Sequence, residues 1–394
     1  MSRINDLIKE LCPNGVEYVK LEELVDYIQP AKYIVKDTNY DIKYDIPVLT
    51  AGQTFILGYT NEKDGIYYAS VDNPVIIFDD FTTSNHWVDF NFKVKSSAMK
   101  ILISKTDNLF KYIYYCISNI DYIPKEHSRQ WIQVYSQFQI PLPPLKVQEK
   151  IVKILDKFGE LEAELEAELE ARKSQYEFWR EKIINNDNNN VVELGDVCKI
   201  VGRIGFRGYT RNDLVDSKED GAISLSPGNI KNNNLNYDDP TYVSWEKYKE
   251  SPEIMIDNND IIFCKTGSTV GKVALVQNLP HKATINPQLV VLKELKCNPS
   301  YLSYIMGSNY FQSEVMRIKG LGSIPTISQK DLAKLKISLP SRAEQDKIAI
   351  ILDKFNTLIN DISVGIPAEI ELRKKQYEYY RNKLLSFEEL SVGE

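Results

Sequence analysis

Apolar residues at Ile151, Ile154, Phe158, Leu161, Leu165, Leu169, Tyr176, Trp179 and Ile183 recur mainly at spacings of three and four, with acids between them. That period predicts a long amphipathic helix carrying a coiled-coil seam. From Leu161 to Ala171 the chain repeats Leu-Glu-Ala-Glu tetrads. A four-residue period exceeds the 3.5 of a heptad, so the stripe is expected to drift around the helix there. A solvated acidic face accounts for the glutamates and leaves the leucines unexplained. Upstream and downstream the pattern changes to short β-branched and aromatic runs broken by Gly, Asn, Asp and Pro, as in Ile46–Thr50, Gly65–Ser70, Asn73–Phe78 and Ile285–Leu292. These runs predict strands. With shorter amphipathic helices expected at about 107–119 and 299–313, both regions read as α+β.

The long helix occurs twice. Residues 148–158 (QEKIVKILDKF) and 345–355 (QDKIAIILDKF) agree at eight of eleven positions, and 172–184 and 373–385 agree at seven of thirteen. Weaker matches extend upstream: Leu21 with Leu194 at an offset of 173, Asp72–Phe78 with Asp257–Phe263 at 185, Tyr112 with Tyr301 at 189, and Leu142-Pro143 with Leu339-Pro340 at 197. Offsets that only grow indicate one duplication followed by insertions in the second copy. The expected organisation is a first globular head (1–140), a helix (141–185), a second head (186–337) and a second helix (338–394). The second helix carries its seam at Ile348, Ile351, Phe355, Tyr377 and Tyr380, and Val364-Gly365-Ile366-Pro367 should interrupt it. The polar run Asn185–Asn190 reads as a stop and linker.

A lone amphipathic helix cannot leave its stripe in water, and the nearest matching stripe is its own copy. The expectation is an intramolecular antiparallel coiled coil with a pseudo-two-fold axis and a head at either end. A helix over 146–184 would span about 58 Å, a length that suits duplex DNA read as two half-sites.

Composition narrows the class without naming the chemistry. With 394 residues, 43% hydrophobic and 26% charged, the chain exceeds one ordinary core and is not a disordered sequence. Its five cysteines (Cys12, Cys116, Cys198, Cys264, Cys297) are scattered and unpaired in sequence, which fits a reducing cytoplasm better than a disulfide framework. No signal-peptide core or membrane-length apolar run is visible. The net charge of −7 argues against a general positive field, and the 185–336 region balances 18 cations against 17 acids. DNA contact would therefore rest on local clusters of cations.

The order of variable domain, LPPLxxQEKIxxILDKF helix, variable domain and LPxxxEQDKIxxILDKF helix, each helix ending in RKxQYExxR, resembles the specificity (S) subunit of type I restriction-modification systems. The resemblance covers nearly the whole chain. It extends to Asp260–Lys272 (DIIFCKTGSTVGK) and Ile285–Leu289, which are similar to a recurrent pattern of that family's target recognition domains. The first head departs from it, with Phe78–Ser84 (FDDFTTS) where the glycines would be. The resemblance implies a non-catalytic DNA-recognition subunit whose two target recognition domains read a bipartite, asymmetric sequence in double-stranded DNA. It implies two modification (methyltransferase) subunits docked on the helices and restriction (endonuclease/translocase) subunits joining them. S-adenosylmethionine, ATP and Mg2+ would then belong to those partners, with no cofactor, no metal site and no membrane contact in this chain. One tetrad would lengthen the helix by about 6 Å, so the tract could set the target's spacer. The competing class is a protein–protein scaffold whose variable heads bind other proteins.

Candidate DNA contacts follow from residue chemistry. Arg203, Arg207 and Arg211 lie four residues apart among glycines and aromatics, and Arg can take guanine or phosphate bidentately. Lys265, Ser268, Thr269 and Lys272 crowd a glycine-bounded turn that suits phosphate and base-edge contacts, or is simply a hairpin. In the first head the aligned turn offers Thr82, Thr83, Ser84, Asn85 and His86, with Gln53 and Lys63 as further candidates. Enzyme readings fail on their spacing. Gly267–Lys272 lacks the first glycine of a phosphate loop and has Val273 where Ser or Thr would hold magnesium. Acid-x-Lys triplets lack a preceding Pro-Asp, and the three histidines have no metal-ligand spacing.

Overall fold

The computed structural model describes residues 2–50, 54–184, 190–203, 208–320, 324–361 and 363–390. The chain divides into two compact units, Met1–Glu164 with Glu371–Glu394, and Leu165–Ile370. The first head opens with α1 (Ser2–Leu11), β1 (Glu17–Lys20), α2 (Leu21–Leu24) and β2 (Val25–Ile28). It continues through β3 (Ile46–Leu49), β4 (Ile56–Thr60), β5 (Val75–Asp79), β6 (Asn85–Val88), β7 (Lys93–Val94), β8 (Met99–Ser104), α3 (Phe110–Ser118) and β9 (Gln139–Leu142). Then α4 runs unbroken from Leu145 to Ile184.

The second head contains β10 (Asn190–Glu193), α5 (Leu194–Val197), β11 (Lys199–Gly202), β12 (Leu214–Val215), β13 (Gly221–Leu225), β14 (Ile230–Lys231), β15 (Asn234–Leu235), β16 (Tyr242–Ser244) and α6 (Trp245–Lys249). It ends with β17 (Ile261–Cys264), β18 (Val273–Leu275), β19 (Ala283–Ile285), β20 (Leu289–Lys293), α7 (Pro299–Met306), α8 (Asn309–Ile318), α9 (Gln329–Ala333) and β21 (Lys336–Leu339). The second long helix follows in two pieces, α10 (Arg342–Asn360) and α11 (Ile366–Leu385). The break falls where Gly365 and Pro367 put it. The helix expected over 299–313 is also split, because Ser308 caps a new helix with its side chain accepting from the Phe311 N–H.

The duplication extends through both heads. A four-stranded antiparallel sheet is ordered β2-β8-β5-β6 in the first and β11-β20-β17-β18 in the second. A second sheet joins β3 to β7, and β13 to β19, in parallel. Ile28 pairs with Ile101 as Val201 pairs with Val291, while Ile77 pairs with Ile101 as Ile262 pairs with Val291. Subtracting the residue numbers gives 173 for β2 and β11 and 185 for β5 and β17, both read from the sequence, and 190 for β8 and β20, which the sequence comparison had not aligned. Val75–Phe78 of β5 and all of β17 are apolar because both faces of these strands are covered. Ile76 and Phe78 enter one core and Val75 and Ile77 another; Ile261 and Phe263, and Ile262 and Cys264, divide in the same way.

Each head is fastened to a long helix by the same side chains. The buried amide of Gln148 donates to the carbonyl of Pro143 (2.8 Å) and to Asn108 Oδ1 (3.0 Å), and accepts from the Leu109 N–H (3.1 Å). Gln345, also buried, donates to Pro340 (2.8 Å) and accepts from the Asn298 N–H (2.9 Å). Tyr115 donates to Asp156 and Tyr304 to Asp353, while Tyr112 and Tyr301 donate to the Pro141 and Ser338 carbonyls. The glutamine of the QEK and QDK motifs is therefore a structural tie.

These tyrosines make stability sensitive to base. Burial raises the pKa of Tyr112, Tyr115, Tyr301 and Tyr304 above the ordinary 10.0, and the Asp156 and Asp353 carboxylates raise Tyr115 and Tyr304 further. Below pH 10 both the folded and unfolded chains keep these protons, so the contribution is complete. Above it the unfolded chain alone releases them, and each tyrosine costs up to about 1.4 kcal/mol per pH unit. Denaturant unfolding at pH 8 to 12 should show stability falling steeply above pH 10, with a shallower fall in Tyr115→Phe or Tyr304→Phe. An unchanged stability across that range would contradict the assignment.

The cysteines are all free thiols. Burial pushes Cys116 and Cys198 up to about 12 and Cys297 to about 11, which makes them poor nucleophiles.

Candidate nucleic-acid interface

The helices pair antiparallel within each unit. In the first, Phe158 stacks on Tyr380 at 5.5 Å and lies 6.3 Å from Tyr377, while Glu162, one turn further along α4, pairs with Lys374, further back along α11. Ile151 and Leu155 pack in one core with Leu384 and Leu385, and Ile154 lies half-buried against it. In the second unit Tyr176 lies 6.4 Å from Phe355 and packs with Leu352, Ile359, Leu169 and Ile348.

The seam differs from its expected course on both helices. Trp179 is 39% exposed and Ile351 is 45% exposed; the buried positions are Arg180, Ile184 and Leu352. On α4 the tetrad drift turns the stripe beyond Tyr176 onto Arg180 and Ile184, which leaves Trp179 and Ile183 off it. Leu161 and Leu165 sit half-exposed, outside every buried cluster among the described residues.

In the second head, Lys265, Ser268, Thr269 and Lys272 share the loop between β17 and β18, so the region is a hairpin with an ordered tip. Gly267 and Gly271 adopt φ of +104° and +102°, a left-handed backbone that glycine takes without strain. A Cβ on Gly271 would lie 2.4 Å from Gln312 Oε1, whose amide holds the Gly271 carbonyl. The Lys265 N–H donates to Gln288 O, the Gly267 N–H to Pro325 O, and the Ile327 N–H to Lys265 O. Ser268 and Lys272 are exposed, although Lys272 Nζ reaches the Ile230 carbonyl at 3.2 Å. Lys265 and Thr269 are half-buried.

The arginine run is not one surface. Arg203 is 6% exposed, and its guanidinium donates to the Ile285 carbonyl (3.2 Å) and Thr284 Oγ1 (3.3 Å) beneath the Tyr209 ring. Desolvation lowers its pKa, opposed by Tyr209 and nearby acids. A guanidinium so enclosed ties β11 to β19, which replaces its expected part in DNA contact. Arg211 is exposed at the start of a short 3-10 turn. Arg207 lies outside the described residues, as does Gln53.

In the first head the equivalent hairpin loop joins β5 to β6. Asp79 Oδ1 accepts from the Phe81 and Thr82 N–H groups, and Thr83 takes a left-handed φ of +64°. Thr82 and Ser84 are exposed on the loop and Thr83 is buried in it. Asn85 and His86 are placed elsewhere by strand alternation. Asn85 accepts from the Ser118 hydroxyl, and the half-buried His86 stacks on Phe55 at 4.0 Å, its pKa lowered by desolvation. Both residues therefore belong to β6 and not to the turn. Lys63 is exposed in a separate loop.

What braces this loop was not legible in the amino-acid pattern. Asp80 is buried, accepts from the Trp131 N–H at 2.9 Å, and pairs with buried Lys100 at 3.5 Å and with Arg129 at 3.3 Å. Among the described residues no group of three or more His, Cys, Asp or Glu could hold a metal ion, and no helix is long and apolar enough to cross a membrane.

Comparison with known proteins agrees with this geometry. The family model described as the type I restriction modification DNA specificity domain matches residues 13–171 and again 186–372. The specificity subunit of the Escherichia coli type I restriction enzyme EcoR124I/EcoR124II is 42% identical over 404 residues, covering 98% of this chain and 98% of the relative. Two solved structures share the fold. The M. genitalium S subunit of a type I restriction-modification system has a TM-score of 0.55 at 13% identity, over 95% of this chain and 97% of that one. A chain from a study of type I R-M complex assembly has a TM-score of 0.59 at 15% identity, over 95% and 98%. With the motif matched twice and a relative aligned end to end, the chain belongs to the type I restriction-modification DNA specificity family.

Proposed function

We propose that this chain is the DNA sequence-recognition subunit of a type I restriction-modification complex. Each head reads one part of a bipartite, asymmetric target, and the reactions are carried by modification and restriction subunits that use S-adenosylmethionine, ATP and Mg2+. Such a complex works where the DNA is, in the cytoplasm. The observation that carries the reading is one fold built twice with unlike hairpin loops, Asp80–Ser84 and Lys265–Lys272, at the same place in each head. A repeated scaffold with unlike loops is what reading two different half-sites requires. Mapping methylated adenines in DNA from cells that carry the chain with its partners tests it. One two-part sequence should be modified throughout; a complex that shows no sequence preference would favour the scaffold reading.

The helices supply matching surfaces for two copies of one partner. On α4 the exposed Phe178 packs edge-on against Trp179, with Lys182 over both rings. At an offset of 201 on α11, the equally exposed Tyr379 packs against Tyr380 with Lys383 above it. Exposed paired aromatics are typical interface anchors. Replacing Phe178 and Trp179 by alanine should weaken one modification subunit's association about thirtyfold or more, shifting native mass spectra from two subunits bound to one. Two tightly held subunits in that variant would exclude this surface.

A further inference from the structure

We propose that the segment Lys125–Arg129 is a second reading element of the first head, and that Arg129 takes the O6/N7 edge of a guanine. The inference deepens the DNA-recognition reading and rests on it. The segment is a built loop. The Gln130 side chain is buried beneath it, donating to the Ser128 carbonyl (2.8 Å) and hydroxyl (3.0 Å) and accepting from Tyr122 Oη (2.8 Å). The Gln130 N–H donates to the Asp80 carbonyl at 2.8 Å, so the loop is pinned to the first residue of the hairpin tip. His127 then stacks on Phe81 at 4.7 Å, and the Arg129 guanidinium lies 5.8 Å from the same ring.

The electrostatics distinguish Arg129 from a solvated loop cation. Asp80 holds one of its guanidinium nitrogens, and buried Lys100 balances the Asp80 charge. Summing the three formal charges leaves one positive charge, on the Arg129 side chain, which is 48% exposed. A guanidinium held in place by a carboxylate loses little freedom on binding and presents a fixed fork, which suits a bidentate base edge better than a phosphate. The second head repeats the bracing: Thr266 bridges Thr326, and the Lys265–Lys272 loop hangs on Pro325 and Ile327. In both heads a segment after the head helix supports the hairpin tip.

The test uses the complex assembled with its modification subunits. A random duplex pool first defines the wild-type target, and Arg129→Ala and Arg129→Lys are then measured against every single-base variant of it. Both variants should lose about ten- to a hundredfold of discrimination at one G·C pair in one half-site, with the other half-site unmoved. The lysine variant, which keeps the ion pair with Asp80 and hence the loop, should recover affinity and not discrimination. Full discrimination at every position would overturn the proposal. So would a loss equal for all bases with a shallower salt dependence, the mark of a phosphate contact. A wild-type complex without sequence preference would instead sink the DNA-recognition reading itself.

Discussion

Inserting one further Leu-Glu-Ala-Glu unit after Glu168 is expected to abolish methylation of the natural target. Methylation should move to a sequence with the same two half-sites and a spacer one or two base pairs longer. Because α4 is continuous through the tract, four added residues lengthen it by about 6 Å, against about 3.4 Å per base pair. The insertion should be tolerated. Leu161 and Leu165 are half-exposed and belong to no buried cluster among the described residues, so no packed layer is cut. Sequencing methylated adenines from cells with the lengthened chain reads the outcome directly. An unchanged target methylated at an unchanged rate would show that the tract does not measure the spacer.

Gln148→Leu should destabilise the first unit by about 3 kcal/mol, since it keeps the side chain's bulk while stranding the Leu109 N–H and the Pro143 carbonyl. Amide exchange in α3 and at the start of α4 should accelerate about a hundredfold, a tenfold change being about 1.4 kcal/mol. Protection in α7 and α10 should not move, because their tie is Gln345. Gln345→Leu should give the reciprocal pattern. If neither variant altered exchange, the glutamines would be passengers.

The duplication, the long helices and the break before Ile366 were legible in the chain because helical period and short motifs are local. Strand order was not: β8 and β20 reach their partners across long separations, where the two copies have diverged. The register offsets show that the trace had nevertheless survived. Between adjacent apolar residues the pattern could not choose. Ile350-Ile351-Leu352 is an unbroken triplet, and Leu352 takes the seam while Ile351 faces outward. Arg203 read as a loop cation from its glycine neighbours, yet its enclosure depends on Thr284 and Ile285, more than eighty residues away. Asp80 and Arg129 are 49 residues apart, and no pattern in either stretch joins them.

Because both heads meet their helices through one standard fitting, glutamine against a proline carbonyl and tyrosine against aspartate, a head behaves as a cassette. Genes that cross over within the stretches coding for residues 148–158 and 345–355, whose products agree at eight of eleven positions, would exchange one vocabulary of bases for another while leaving every joint intact. New addresses on DNA could then arise by shuffling finished parts, with no intermediate that has to repack a core.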